Sequence, residues 1–168
     1  MAGIFSFTCS CCGKVHEGSP SYGFRAPDPY LQQSKEVQEA GSLDPDLCRY
    51  TDEDGEHFFV RACLEVPIHG ASEPFLWGVW VSLSQKNFDR YVTTYDHPDT
   101  SESYFGWLCN QLPYYEKTYS LKTSVHPREG RNRPLVILEK TDHPLSVDLH
   151  EGISIARAQE IAELLVHR

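Results

Sequence analysis

The stretch Phe58-Phe59-Val60-Arg61-Ala62-Cys63-Leu64-Glu65-Val66, followed by Phe75-Leu76-Trp77-Gly78-Val79-Trp80-Val81-Ser82-Leu83, decides the fold class. In both, large apolar residues recur at every second position. Successive side chains of a strand point to opposite faces, so this period marks strands with one buried face. Phe58, Val60, Ala62, Leu64 and Val66 share one face of the first strand, and Phe59, Arg61, Cys63 and Glu65 take the other. In the second, Phe75, Trp77, Val79, Val81 and Leu83 oppose Leu76, Gly78, Trp80 and Ser82. Upstream, Asp52-Glu53-Asp54-Gly55 reads as a turn, which makes residues 47–51 the first arm of a hairpin.

Outward from this pair the elements are shorter. Asp28-Pro29 reads as a cap with proline at the first helical position, and Gly41 closes the helix this predicts over residues 29–40. A short helix follows over 85–95, with Phe88, Tyr91 and Val92 on one side, and Pro98 ends it. Strands are expected near 104–109, 119–125 and 135–139, and a last short one over 145–149. Ser154 then caps a final helix whose face carries Ile155, Ala158, Ile161, Ala162 and Leu165. The pattern lacks regular βαβ alternation. It predicts an α+β fold, a largely antiparallel β-sheet packed by helices near both ends of the chain. The expected core is Phe58, Val60, Leu64, Trp77, Val79, Val81, Val125, Ile137, Ile161 and Leu165.

The amino-terminal segment Cys9-Ser10-Cys11-Cys12-Gly13-Lys14-Val15-His16 is of another kind. The Cys-x-x-Cys gap lets backbone amides turn toward both sulfurs, and glycine supplies the positive φ that ends such a knuckle. A knuckle is half of a tetrahedral zinc site. Cys48 is the best third ligand by position and His16 a fourth, a closed set suited to a structural Zn2+. Buried thiols without a metal are the competing reading. A redox Cys-x-x-Cys fits less well, because the motif does not lie between a strand and a helix of a βαβ unit.

The chain has 168 residues, of which 40% are hydrophobic and 12% aromatic. That length and composition suit one domain over 1–168, with the knuckle of 1–17 docked on the α+β body. The net charge of -9 opposes binding to nucleic acid phosphates and permits a basic protein partner. Neither a secretory signal nor a run of membrane-spanning length is legible. A cytoplasmic location follows as the expectation, where cysteines bind metal or stay reduced.

Taken together, Cys9-x-x-Cys12-Gly13-x-x-His16, Asp46-Leu47-Cys48, Phe59-Val60-Arg61, Leu64-Glu65-x-Pro67, Trp77-Gly78-Val79-Trp80-Val81-Ser82-Leu83-Ser84, Tyr104-Phe105-Gly106-Trp107, Leu121-Lys122-Thr123-x-Val125-His126 and Thr141-Asp142-His143-Pro144-Leu145 carry a resemblance. Nearly the whole chain resembles an uncharacterised bacterial family, a domain of unknown function of the DUF2199 type. The resemblance implies a bacterial origin and a compact single domain, and it carries no activity. Cys11 stands inside the knuckle as an addition to that family pattern.

Two groups of residues are candidates for function. Arg61 and Glu65 share a strand face, as do Lys122 and His126, and Trp80 lies opposite the main apolar face of its strand. Arg61, Glu65, Trp80 and Lys122 are the candidate binding residues: Arg61 for an anion, Trp80 as the floor of a groove. The competing reading pairs Arg61 with Glu65 on the sheet surface. His126, Asp142 and His143 form the alternative, a hydrolytic set in which a histidine acts as general base and Asp142 orients it. Against it, Asp142 also suits a turn that bonds its own backbone. Nucleotide-binding glycine loops, G-x-S-x-G and H-E-x-x-H are all missing. The reading that results is a small non-enzymatic protein-binding module with a structural zinc. One concrete form is an immunity-type inhibitor of a basic toxin.

Overall fold

The computed structural model describes residues 5–9, 12–18 and 20–166. The strands are β1 (Phe5–Thr8), β2 (Val15–Gly18), β3 (Ser21–Gly23), β4 (Ser42–Leu43), β5 (Leu47–Asp52), β6 (Gly55–Val66), β7 (Phe75–Leu83), β8 (Tyr104–Leu108), β9 (Lys122–His126) and β10 (Leu135–Leu138). The helices are α1 (Asp28–Leu31), α2 (Lys35–Ala40), α3 (Gln85–Thr93), α4 (Pro144–Glu151) and α5 (Ile155–Val166). The fold is α+β, as the alternating segments predict.

The two quoted stretches are β6 and β7, paired antiparallel from Phe58 with Leu83 to Val66 with Phe75. Each is long enough to take two further partners along its outer edge. β7 pairs with β3 in parallel at Leu76–Gly78 and with β8 at Val81 and Ser82. β6 pairs with β5 over Gly55–Val60, then with β10 in parallel where Cys63 meets Leu135. Since β8, β9 and β10 form an antiparallel ladder, the β10–β6 contact closes β6-β7-β8-β9-β10 into a five-stranded barrel. β3, β4 and β5 extend the sheet beyond that ring.

The inner face holds the main core. Val60, Ala62, Leu64, Val66, Trp77, Val79, Val81, Leu108, Val125 and Val136 are fully sealed from solvent. Each fully buried Val or Leu contributes about 1.5–3 kcal/mol of hydrophobic stabilisation. Phe88 and Tyr91 of α3, Leu145 of α4, and Ala158 and Ile161 of α5 belong to the same cluster. A second, smaller cluster lies on the opposite face of β5, β6 and β7. It consists of Ala26, Tyr30, Cys48, Tyr50, Phe59, Trp80 and Cys109, with Val37 and Leu43 packed against it. The segment from β3 through α2 thus covers one side of the barrel wall.

Four expectations are corrected. The helix foreseen over 29–40 is two short ones, because Ser34 caps α2 by accepting from the Val37 amide at 3.2 Å, a role serine prefers to a helix interior. The strand foreseen over 145–149 is α4. Pro144 starts it, His143 caps it, and Gly152 ends it at φ +83°, and these end signals override the Leu145-Val147-Leu149 alternation. Ile137 is only half-buried. The pairing of Val136 with Val125 turns Val136 and Leu138 inward and Ile137 outward. Leu165, likewise, packs at the margin of the core.

Candidate functional site

An open cleft of about 760 Å³ lies on the outer side of the barrel, where β5 and β6 face β8. β8 builds one wall. Its inner face (Tyr104, Gly106, Leu108) is buried, so Phe105 and Trp107 project outward, 51% and 42% exposed. Their rings are 5.1 Å apart at 85°, an edge-to-face arrangement that fixes both side chains. Tyr119, 46% exposed, adds a third ring from the loop between β8 and β9.

That loop is held by buried polar groups. Asn110 accepts from the Trp80 amide at 2.8 Å and donates to the Ala26 carbonyl and to Asp28 Oδ1, each at 3.1 Å. Thr118 Oγ1 donates to the Asn110 carbonyl and accepts from the Leu112 amide, both at 2.8 Å. These bonds hold Tyr114, Lys117 and Ser120 at positive φ (77°, 51° and 72°), a strained conformation that persists only when its surroundings over-determine it.

The opposite wall is Tyr50, His57 and Phe59. Tyr50 stacks on Phe59 at 5.7 Å, and its ring centre is 5.0 Å from that of His57. Burial pushes the Tyr50 hydroxyl up to about 12, so it stays protonated at neutral pH. His57 Nε2 is 2.9 Å from Asp52 Oδ1, and Arg49 is 2.9 Å from Glu56. The hydrogen bond from His57 holds the Asp52 carboxyl below the usual carboxylate range. Cys109 is the one thiol on the cleft, and burial raises it to about 11. A thiol protonated at neutral pH is a poor nucleophile. A smaller hollow of about 190 Å³ shares Trp107 and Ser120 with the cleft and is bordered by Lys122, Glu139 and Thr141.

The residues expected from sequence are dispersed. Lys122 pairs with Trp107 across β8 and β9 and reaches the smaller hollow. Trp80 does not floor a groove: it is fully buried in the second cluster, with Nε1 donating to the Phe24 carbonyl at 2.9 Å. Glu65 is 3.6 Å from Arg128, not paired with Arg61. Arg61 lies half-buried on the outer barrel face. His126 bonds Ser124 Oγ at 2.8 Å. His143 uses both ring nitrogens, Nδ1 accepting from the Leu145 amide at 3.1 Å and Nε2 lying 2.8 Å from the Glu116 carbonyl. Neutral imidazole with its proton on Nε2 satisfies both contacts, which is a helix-capping role. Asp142 is exposed, and among the described residues no hydrogen bond links it to either histidine.

For the knuckle, Cys9 donates its amide to the Lys14 carbonyl at 2.8 Å, Gly13 donates to the Cys9 carbonyl at 2.9 Å, and Gly13 has φ +70°. Cys11 and the His16 side chain lie outside the described residues. Cys48 leaves the expected ligand set: it is buried in the second cluster, whereas Cys9 is in the main one across the sheet. Among the described residues no group of three or more His, Cys, Asp or Glu side chains is arranged to hold a metal ion. Phe105, Trp107, Tyr119 and His57 were not singled out from sequence as binding residues. The signal for two of them was present, since Phe105 and Trp107 alternate with the inward Tyr104, Gly106 and Leu108.

Barrel and cleft together define a small α+β protein with an aromatic-walled surface depression. By sequence the chain belongs to the family described as "Uncharacterized protein conserved in bacteria (DUF2199)", matched over residues 8–153. No curated protein and no solved structure matches it. Among the described residues no helix is long and apolar enough to cross a membrane.

Proposed function

We propose that this chain is a non-enzymatic protein-binding module and that the aromatic cleft is its contact surface. The observation that carries the reading is the grouping of Phe105, Trp107 and Tyr119, all substantially exposed, around one depression. Exposed aromatics gathered at a concave site are typical anchors of protein contacts. A basic partner fits best. The net charge is -9, and the acidic turn Asp52-Glu53-Asp54 adjoins Glu56 and His57 on the cleft wall. An immunity-type inhibitor of a basic toxin is one form of this proposal, acting in the cytoplasm. The hydrolytic alternative through His126, Asp142 and His143 has less support, because His143 would have to give up its capping bonds to act as a base.

Tryptophan fluorescence tests the reading, since Trp77 and Trp80 are fully buried and Trp107 reports on the cleft. A peptide rich in Lys and Arg with one aromatic residue should shift the emission saturably, and more weakly as salt rises. Trp107→Ala should weaken its binding, followed by calorimetry, by about 30-fold or more. Equal responses to acidic and basic peptides would sink the basic-partner reading, and no response to any peptide would sink the cleft.

A structural zinc at the knuckle, held by Cys9, Cys12 and His16, belongs to the same proposal. The Gly13 turn and the amide bonds around Cys9 support it. Metal analysis of protein purified without chelator is expected to find about one equivalent of zinc, lost in a Cys9→Ser, Cys12→Ser double variant. A metal-free wild-type chain that is as stable as zinc-supplemented protein would refute it.

A further inference from the structure

We propose that the outer barrel wall at Arg61 binds a small oxyanion, a carboxylate or phosphate group, at a site separate from the aromatic cleft. Arg61 projects from β6, and its backbone amide is fixed by the Asp46 carbonyl at 2.9 Å. Its guanidinium lies across a floor made by two glycines paired between β3 and β7, Gly23 and Gly78. A Cβ on Gly23 would stand 2.6 Å from Arg61 Nη2, and one on Gly78 3.2 Å away. Any side chain at Gly23 would therefore displace the guanidinium.

The neighbouring arginines are provided for. Arg133 Nε is 2.9 Å from Asp46 Oδ1, and Arg128 is 3.6 Å from Glu65. Arg61 is not: among the described residues its side chain makes no ion pair or hydrogen bond, and its Nε is sealed from solvent with no acceptor. Leaving a partly desolvated guanidinium without an acceptor or a direct ion pair is unfavourable. The chain has 24 Asp and Glu against 15 Lys and Arg, yet the carboxylate whose charge reaches Arg61, that of Asp46, is bonded to Arg133 instead. Burial first, and then the nearby Arg133 charge, lower the Arg61 pKa against the opposing pull of Asp46. An external oxyanion supplies what is missing. A planar guanidinium presents parallel N–H donors that match the paired oxygens of a carboxylate or phosphate, and Arg133 adds positive potential beside it. None of the residues lining the aromatic cleft takes part, so the inference stands whether or not the cleft binds protein.

The test is thermal unfolding and calorimetric titration of the full chain with inorganic phosphate and, separately, succinate, at constant ionic strength. At a tenfold excess over Kd, a binding anion should raise the wild-type midpoint by about 3–5 °C. Arg61→Met should abolish that rise, and without anion should melt at or above the wild type, because it removes an unpartnered cation. Arg61→Lys should bind the anion at least tenfold more weakly. Arg131→Met, at an exposed arginine paired with Asp96, should respond as the wild type does. A response to phosphate alone, or to succinate alone, names the oxyanion. No calorimetric binding of either, an undiminished response in Arg61→Met, or an Arg61→Met chain that melts well below the wild type without anion would each overturn the proposal.

Discussion

Trp80→Ala is expected to destabilise the protein by about 3–5 kcal/mol in a denaturant melt, among the largest effects of any single truncation. Trp80 is fully buried at the centre of the second cluster, among Cys48, Tyr50, Phe59 and Cys109. Truncation removes most of the ring contacts of that cluster. It also leaves the Phe24 carbonyl without its indole donor, which lies at 2.9 Å. An unsatisfied buried carbonyl costs about 1–3 kcal/mol, so Trp80→Phe, which keeps an aromatic ring and loses the N–H, should fall in that lower range. The covering segment that carries Ala26 and Tyr30 should show faster amide exchange in the alanine variant than the inner barrel strands do. A Trp80→Ala chain of unchanged stability and weakened partner binding would instead return Trp80 to the functional surface where the sequence pattern had placed it.

Trp80 and Trp107 show what period two conveys and what it withholds. Alternation correctly places Trp80 on the face opposite Trp77. It does not say whether that face is covered. Over β5, β6 and β7 the segment around α1 buries it, so Trp80 is core. On β8 Trp107 stays exposed. Cover is a long-range property, set by a segment more than forty positions away in sequence in the case of Tyr30 and Trp80. The polar candidates are dispersed for a related reason. Shared strand faces put Arg61 and Glu65 together, but Glu65 found Arg128 from the turn before β10, a partner no local spacing reveals.

The strands were largely legible, and barrel closure was not. Hydrophobic alternation marks β6 and β7, and the hairpin into β6 follows from its acidic turn. Closure depends on the parallel contact of Leu135 with Cys63, made where β6 has run past the end of β5. Strand length and edge sharing decide that contact, and neither leaves a periodic trace. In α4, alternation misled, although the capping chemistry of His143, Pro144 and Gly152 was readable.

Gly106→Ala should cost about 3 kcal/mol or more, and Gly106→Val should prevent folding. Gly106 sits on the inner face of β8 with ordinary φ, so backbone strain is not the reason it must be glycine. Space is the reason. A Cβ there would press on Val81 Cγ1, stand 2.5 Å from the Ser82 carbonyl oxygen and 3.1 Å from Leu83 Cδ2. Val81 is able to change rotamer, but the Ser82 carbonyl is backbone of β7 and does not yield without moving the strand. β8 meets β7 in register only at Val81 with Leu108 and Ser82 with Trp107, so a shift of β8 acts on that short contact. Overpacking within a well-formed core typically costs about 1–3 kcal/mol, and a collision with backbone at a barrel seam belongs at or above the top of that range. Because Phe105 and Trp107 flank Gly106, displacement of β8 should also disturb the cleft. Gly106→Ala is therefore expected to lose peptide-induced Trp107 fluorescence change together with stability, both measured on the same sample. An alanine variant with a wild-type melting curve would mean that β7 and β8 do not approach as closely as the barrel requires.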